Sequence, residues 1–417
     1  MTPSPKTSDL PLSGITVIDL SRALAGPYCT ALLADMGATV IKVESGAGDP
    51  ARTWPPFDGD HSLYFDSTNR NKQSIWIDLY SESGRDLLDR LLQTADVLVD
   101  NFKLGTLEKM GYGTDRLEAL NPDLVHVGIT AYGARGPLAA QPGLDQVIQA
   151  RAGMTSVTGP SDGDGYRVGI PVVDIASGMT GAFTIASLLL GRERGCNVRR
   201  GSTSLYETAV SMSVFQGQRA ISTGEAAHRQ GNSHPSITPY GAYPTRTDHI
   251  VLAVSTEKHF QDFASLVGRT EWLDDPRFST SRARTHHRDE LNPLIEQALS
   301  TRSAEEWITA IQQLGIPVGP ILDYAQVMDD EQTKALGLIQ PADRHDGSEL
   351  SVIRGPISLD GEPARVRTAP PMLSEHAADV LTSLGVSEEE RQRLAADGTV
   401  RLPAANKNLQ PSSSTKE

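Results

Sequence analysis

Ile15-Thr-Val-Ile-Asp-Leu20, Pro27-Tyr-Cys-Thr-Ala-Leu-Leu-Ala-Asp-Met36 and Thr39-Val-Ile-Lys-Val-Glu44 decide the fold. The first and last segments are apolar and β-branched, as strands are. Between them Ser21–Gly26 is a turn, Pro27 suits the first position of a helix, and Gly37 suits its end. The three make one βαβ unit. The alternation continues outward. Ser74–Leu79 reads as a strand, Gly84–Gln93 as a helix, Asp96–Val99 as a strand, Thr114–Leu120 as a helix and Leu124–Ile129 as a strand. Such alternation predicts an α/β fold with a doubly wound, mostly parallel, Rossmann-like sheet and helices on both faces. Ligands of such sheets bind beyond the carboxyl ends of the strands. Ser21–Pro27, Glu44–Arg52 and Asn101–Lys109 are therefore the segments to watch.

A chain of 417 residues has room for more than one domain. Its formal net charge of −14 argues against nucleic acid or an anionic membrane as the main partner. The apolar stretch Ile175–Leu190 falls short of the roughly 18 to 20 residues that span a bilayer. The first residues contain no apolar signal core. Cys29 and Cys196 do not suggest a disulfide framework, and no Cys/His spacing suits a metal. A cytoplasmic location is the expectation, with disordered polar ends at 1–10 and 404–417. After Leu205–Phe215, read as a helix, the turn-rich segment Gly231–Tyr240 marks a boundary. A smaller α+β domain follows, with a strand at Ile250–Val254 and helices at Phe260–Val267, Arg288–Leu299 and Ala304–Leu314. From about Met328 the composition changes again. The division expected is 1–228 for the large domain, 229–328 for the small one, and 329–417 for a return to the large domain.

Two chemical readings compete in the first βαβ unit. Glu44 stands where a ribose-binding acid of a dinucleotide site would stand. The turn before the helix should then be G-x-G-x-x-G, but Ser21-Arg-Ala-Leu-Ala-Gly-Pro27 has one glycine and a proline without an amide donor. That argues against a nicotinamide cofactor. Farther along, Asp174 follows an apolar run at Gly169–Val173 and precedes the small, apolar helix pattern Ile175–Leu190. A helix N-terminus would cap it and keep it ionised. An ionised, partly desolvated carboxylate is also a nucleophile or a base. Helix cap and reactive group remain open on these residues alone.

Many motifs in order then carry a resemblance. They are Leu24–Glu44, Gly48-Asp-Pro-Ala-Arg52, Asn69-Arg-Asn-Lys72, Asp100-Asn-Phe102, Pro142-Gly-Leu-Asp145, Gly169–Gly178, Ser204-Leu-Tyr-Glu-Thr208 and Asp275-Pro-Arg-Phe278. Over about Leu10 to Ala395 the chain resembles the class III CoA-transferases, which include formyl-CoA transferase, carnitine CoA-transferase and the bile-acid-inducible F type. The resemblance implies a ring-shaped subunit and an interlocked homodimer. It implies coenzyme A or acyl-CoA as substrate, with a carboxylic acid as acceptor, no prosthetic group, and Asp174 as a covalent nucleophile. It also implies coenzyme A contacts at Ala23, Leu24, Lys72, Asn101, Phe102 and Lys109. The same superfamily contains α-methylacyl-CoA racemases, in which the Asp174 position is a base partnered by a histidine. Here the partner position is Leu144 of Gly143-Leu-Asp145, which disfavours that alternative. His126 lies inside a strand pattern and reads as a packed residue. Ser255-Thr-Glu257 replaces the glycine-rich loop of formyl-CoA transferase. Arg22 and Arg151 are candidates to meet a second substrate carboxylate, although solvation is the ordinary role of either.

Overall fold

Six strands form the central sheet of the larger of two compact units. They are β1 (Thr16–Asp19), β2 (Thr39–Glu44), β3 (Lys72–Trp76), β4 (Val97–Asp100), β5 (Val125–Thr130) and β6 (Arg200–Ser204). All neighbours are parallel, in the order β3-β2-β1-β4-β5-β6. The order reverses between β1 and β4, which is where a doubly wound sheet opens its crevice. The structure, a computed structural model, describes residues 9–403. Most of the two polar ends expected to be disordered, 1–8 and 404–417, lies outside those residues.

The interior strands are the apolar runs seen in the sequence. Val17, Ile18, Val97, Leu98, Val99, Val125 and Val127 are fully buried, as a parallel sheet covered on both faces requires. β6 differs from expectation. Residues 195–202 read as a turn, yet Arg200-Gly-Ser-Thr-Ser204 pairs with β5 from His126 to Thr130. It is the edge strand and needs no two-sided apolar run. Gly201 suits it: a Cβ there would lie 2.6 Å from Thr184 Cγ2.

Four helices position the site: α1 (Ala25–Asp35), α2 (Glu82–Thr94), α3 (Asp145–Arg151) and α4 (Val172–Glu193). α4 begins three residues ahead of the expected Ile175. Val172 and Val173 are β-branched and read as the end of an extended run, but they form its first turn. At 22 residues α4 is long and apolar enough to cross a membrane by length and composition, contrary to the expectation from its sequence. One side of it packs on the larger unit. A Cβ on Gly178 would lie 2.7 Å from the Ala25 carbonyl oxygen, and one on Gly181 would lie 2.9 Å from Ile129. Glycine is what lets α4 come this close to α1 and β5.

The end of the chain completes this unit. Helices Ala377–Ser383 and Glu388–Ala396 place Ala377, Val380, Leu381 and Leu394 in one apolar cluster with Ile18, Ile75, Leu88 and Leu98. Ile77 bridges Val400, and the Asp78 N–H donates to the Thr399 carbonyl at 2.9 Å.

The smaller unit comprises Gly153–Val168 and Ser213–Asp330. It is thus wider than the expected 229–328. Part of the reason is Arg229, whose guanidinium donates to the carbonyls of Ser156, Pro160 and Gly163. Its antiparallel sheet pairs His249–Ala253 with both Tyr240–Pro244 and Val318–Pro320. Phe260, Phe263, Ile295 and Trp307 form its core.

Beneath the end of β1 lies a buried ionic cluster. Asp19 accepts from Ser21 and Thr30 and pairs with Lys72 at 3.1 Å. Lys42 pairs with Asp49 at 2.8 Å. All four charged side chains are fully shielded from water. Burial pushes Asp19 upward, but Lys72, Lys42 and the two hydroxyls outweigh it and hold the carboxyl at about 2. Removing one partner leaves a buried charge uncompensated. Lys72→Met should therefore lower unfolding free energy by about 3 to 5 kcal/mol, read as an earlier urea midpoint at neutral pH. An unchanged midpoint would show that Lys72 is not held in this cluster.

Candidate active site

Ser21–Leu24 is fixed atom by atom. Lys42 Nζ donates to the Ser21 carbonyl at 2.8 Å. The Asn101 side chain brackets Arg22, accepting from its N–H at 2.9 Å and donating to its carbonyl at 2.7 Å. Asp49 accepts from the Ala23 N–H at 3.0 Å. Ala23 has φ of 69°, a left-handed conformation that a non-glycine residue adopts at a cost. Gly26 lets the turn close, since a Cβ there would lie 2.2 Å from the Ser21 Cβ. A backbone held by three polar side chains is preorganised rather than induced.

The turn borders a cavity of about 590 Å³ at the crevice between β1 and β4. Leu20, Ser21 and Arg22 line it from one strand end and Phe102 from the other. Arg85 and Lys109 add positive charge, and Arg22 lies over the Phe102 ring at 5.4 Å. Three cations, an aromatic ring and a volume of this size suit a phosphorylated nucleotide. Glu44 also lines it, but Arg52 at 2.7 Å and Ser74 at 2.9 Å already engage its carboxylate.

Asp174 lies in the first turn of α4 and does not cap it. Pro171 holds the cap position, without a side-chain bond. The cap comes from a distant carboxylate. Asp145 Oδ2 accepts from the N–H groups of Val173 at 2.8 Å and Asp174 at 3.1 Å, while Gln149 donates to its Oδ1. Among the described residues, none donates a hydrogen bond to the Asp174 carboxylate. This overturns the expectation that the helix end would keep Asp174 ionised. Burial, then the Asp145 charge, push its carboxyl up to about 7. Tyr64 belongs to the same neighbourhood: burial, then the charges of Asp174, Asp145 and Asp49, raise its phenol to about 12.

The expected coenzyme contacts separate in space. Phe102 and Lys109 line the cavity at the crevice, and Asn101 and Ala23 shape the turn beside it. Leu24 is buried at the N-terminus of α1 and faces a different cavity. Lys72 does not reach the cavity at the crevice. Its ammonium donates to Asp19, Asn69 and the Pro27 carbonyl, which occupies all three protons. Arg85, which nothing in the local sequence singles out, lines the cavity instead. Arg151 is exposed at the end of α3 and lines neither cavity. Asp145 and Asp49 escape sequence reasoning as well, because each acts on backbone groups far along the chain.

The chain is similar to known proteins over most of its length. The model of CoA-transferase family III matches residues 12–377. The succinate–glutarate CoA-transferase of Agrobacterium fabrum is 36% identical, over 91% of this chain and 96% of the relative. The human succinyl-CoA:glutarate CoA-transferase is 32% identical, over 89% of this chain and 85% of the relative. Among solved structures, a CaiB/BaiF family protein from Brucella suis superposes with a TM-score of 0.80 at 34% identity. It covers 90% of this chain and 99% of its own.

A carboxylate that must be ionised to react imposes a pH limb. With acyl-CoA limiting, kcat/KM for thioester exchange should rise through pH about 7 and level off above it. Asp145→Asn keeps an oxygen for the two N–H groups but removes the charge. It should move the limb to lower pH without reaching the ordinary aspartate range, because burial, the larger cause, remains. A wild-type limb near the ordinary value of 3.8 would contradict this electrostatic picture.

Proposed function

We propose that this chain, which belongs to CoA-transferase family III, moves coenzyme A between carboxylic acids through a covalent intermediate on Asp174. That it is a CoA-transferase follows from the family. The covalent route is the proposal, and the observation that carries it is the state of Asp174: partly desolvated, without a donor, and raised to about 7.

The steps balance in atoms and electrons. An Asp174 carboxylate oxygen attacks the carbonyl carbon of the acyl thioester. The carbon–sulfur bond breaks, its electron pair leaves with the coenzyme A thiolate, and a mixed anhydride remains. The thiolate then attacks the Asp174 carbonyl, which expels the first acid as its carboxylate and leaves an aspartyl thioester. A second carboxylate attacks that thioester, and the steps run in reverse to release the new acyl-CoA and free Asp174. One thioester replaces another, so no outside energy source is required, and each step is a simple acyl transfer.

The raised pKa assists this route. A thiol ionises near 8.5 and an ordinary carboxyl near 4, so a normal carboxylate is a far poorer base than the thiolate that it must displace. A carboxyl raised to about 7 narrows that difference while leaving the ionised form accessible at neutral pH. Ser21–Leu24 would hold the coenzyme beside it, with Arg22, Arg85, Lys109 and Phe102 on the nucleotide. The carboxylate-accepting relatives support an acid as the second substrate.

A racemase would need a second base near Asp174. Leu144 has no ionisable group, the Asp145 carboxylate is engaged by Gln149 and the Val173 and Asp174 N–H groups, and the His126 ring is bonded to Asp100 at 2.7 Å. The transferase reading is therefore the better one.

An interlocked pair of copies belongs to the same proposal. Met179, Phe183 and Leu190 stand exposed along α4, an apolar face that a lone copy would leave in water.

Incubation with an acyl-CoA and quenching in hydroxylamine should convert Asp174 to its hydroxamate, located by peptide mass spectrometry. Asp174→Asn should abolish both the mark and the exchange. Repeated absence of the mark during turnover would remove the covalent route. Sedimentation should give a dimer, and Phe183→Asp should shift it toward the monomer. A monomeric wild type at micromolar concentration would end the pairing proposal.

A further inference from the structure

Ser21 and Arg22 face the nucleotide cavity, but Leu24, in the same turn, faces another of about 540 Å³. Leu24 and Tyr28 line it from α1, Ile170 and Ile175 from the start of α4, and Val352 and Ile353 from the strand Glu349–Ile353. Pro171 also lines it. Pro171, Asp174, Ile175 and Gly178 recur at helical spacing and so share one side of α4. Asp174 is not itself a lining residue, but Pro171 and Ile175 are, which puts it on the adjoining side of the helix.

The charged groups at the cavity wall are all engaged elsewhere. Arg70 is buried and bonded to Asp35 at 2.6 Å. Asp66 pairs with Arg344 at 2.8 Å. Arg354 donates to the carbonyls of Leu336, Gly337, Gly355 and Ile357. None is left to receive a carboxylate at the far end of a substrate. Such a carboxylate would meet a mostly apolar wall with no free cation, offering it only the hydroxyls of Tyr28, Ser67, Thr68 and Ser351 in place of its water, which is unfavourable. An aliphatic or aromatic body, by contrast, gains from leaving water there.

We infer that this cavity is the acyl pocket of Asp174 and that it selects carboxylic acids with an apolar body over dicarboxylates. The inference rests on the proposed transfer through Asp174 and adds the class of acid transferred.

The test uses the full-length protein with acetyl-CoA as donor and two acceptor series of matched length: butyrate, hexanoate and octanoate against succinate, adipate and suberate. In the monoacid series kcat/KM should rise by about fourfold per methylene until the cavity is filled. Each monoacid should exceed its dicarboxylate by about tenfold or more. Ile353 is half exposed at the rim, so Ile353→Arg should be tolerated by the fold, as a thermal melt would report. It should narrow or reverse the preference by supplying a cation. Binding of hexanoate and adipate is measured separately by calorimetry, without donor. Dicarboxylates preferred in both turnover and binding would overturn the pocket assignment and leave transfer standing. Hexanoate binding without exchange or an Asp174 adduct would overturn the transfer reading and leave the pocket standing. Acetyl transfer with no discrimination between the series would also overturn the inference.

Discussion

The pairing of Lys42 with Asp49 and of Lys72 with Asp19 is the constraint on which the site depends. Charges shielded from water are tolerable only with partners in place and further hydrogen bonds around them. Meeting that condition fixes more than the ions. Lys42 also holds the Ser21 carbonyl, Asp49 the Ala23 N–H, and Asp19 the Ser21 hydroxyl. The turn that separates the two cavities thus inherits its position from the cluster. A left-handed alanine persists there because its surroundings leave it no other choice.

The second constraint is the arrangement at the start of α4. A helix N-terminus attracts negative charge and would ordinarily lower a nearby carboxyl pKa. Here Asp145 takes up the exposed N–H groups first. Its charge then acts against Asp174 rather than for it. Two carboxylates at one helix end are thus driven apart in role, one held by backbone donors, the other without donors and more basic. The same pattern separates acid and base assignments wherever neighbouring titratable groups meet different environments.

Most of the sheet was legible because β1, β2, β4 and β5 are apolar runs bounded by turns. β6 was not, since an edge strand of Arg, Gly, Ser and Thr bears no such mark. The start of α4 was blurred by Val172 and Val173, whose branching suits a strand as well as a helix. Asp174 and Phe102 stand in motifs of the sequence, and Phe102 and Lys109 line one cavity, as their joint assignment to one ligand requires. Asp145 was not, because a cap supplied from 28 residues away has no local signature. Lys72 was misplaced for the opposite reason. A lysine at a strand end suggests a reachable cation, and only the three-dimensional arrangement reveals that Asp19, Asn69 and Pro27 already surround it.

The return of the chain end to β3 bears on how the protein is made. Ala377, Val380, Leu381 and Leu394 complete a cluster begun by Ile18 and Leu98, and Thr399 closes against Asp78. On the ribosome the first strands emerge long before these residues exist. Until residues 377–396 have been made, one side of the nascent sheet lacks its cover, whereas the smaller unit already holds the whole of its own core. Synthesis therefore imposes an order: the insertion is able to fold while the domain that contains it waits. An apolar sheet that must wait is a client for chaperones, and a message truncated before Ala377 yields a chain whose smaller unit has its core and whose larger unit does not.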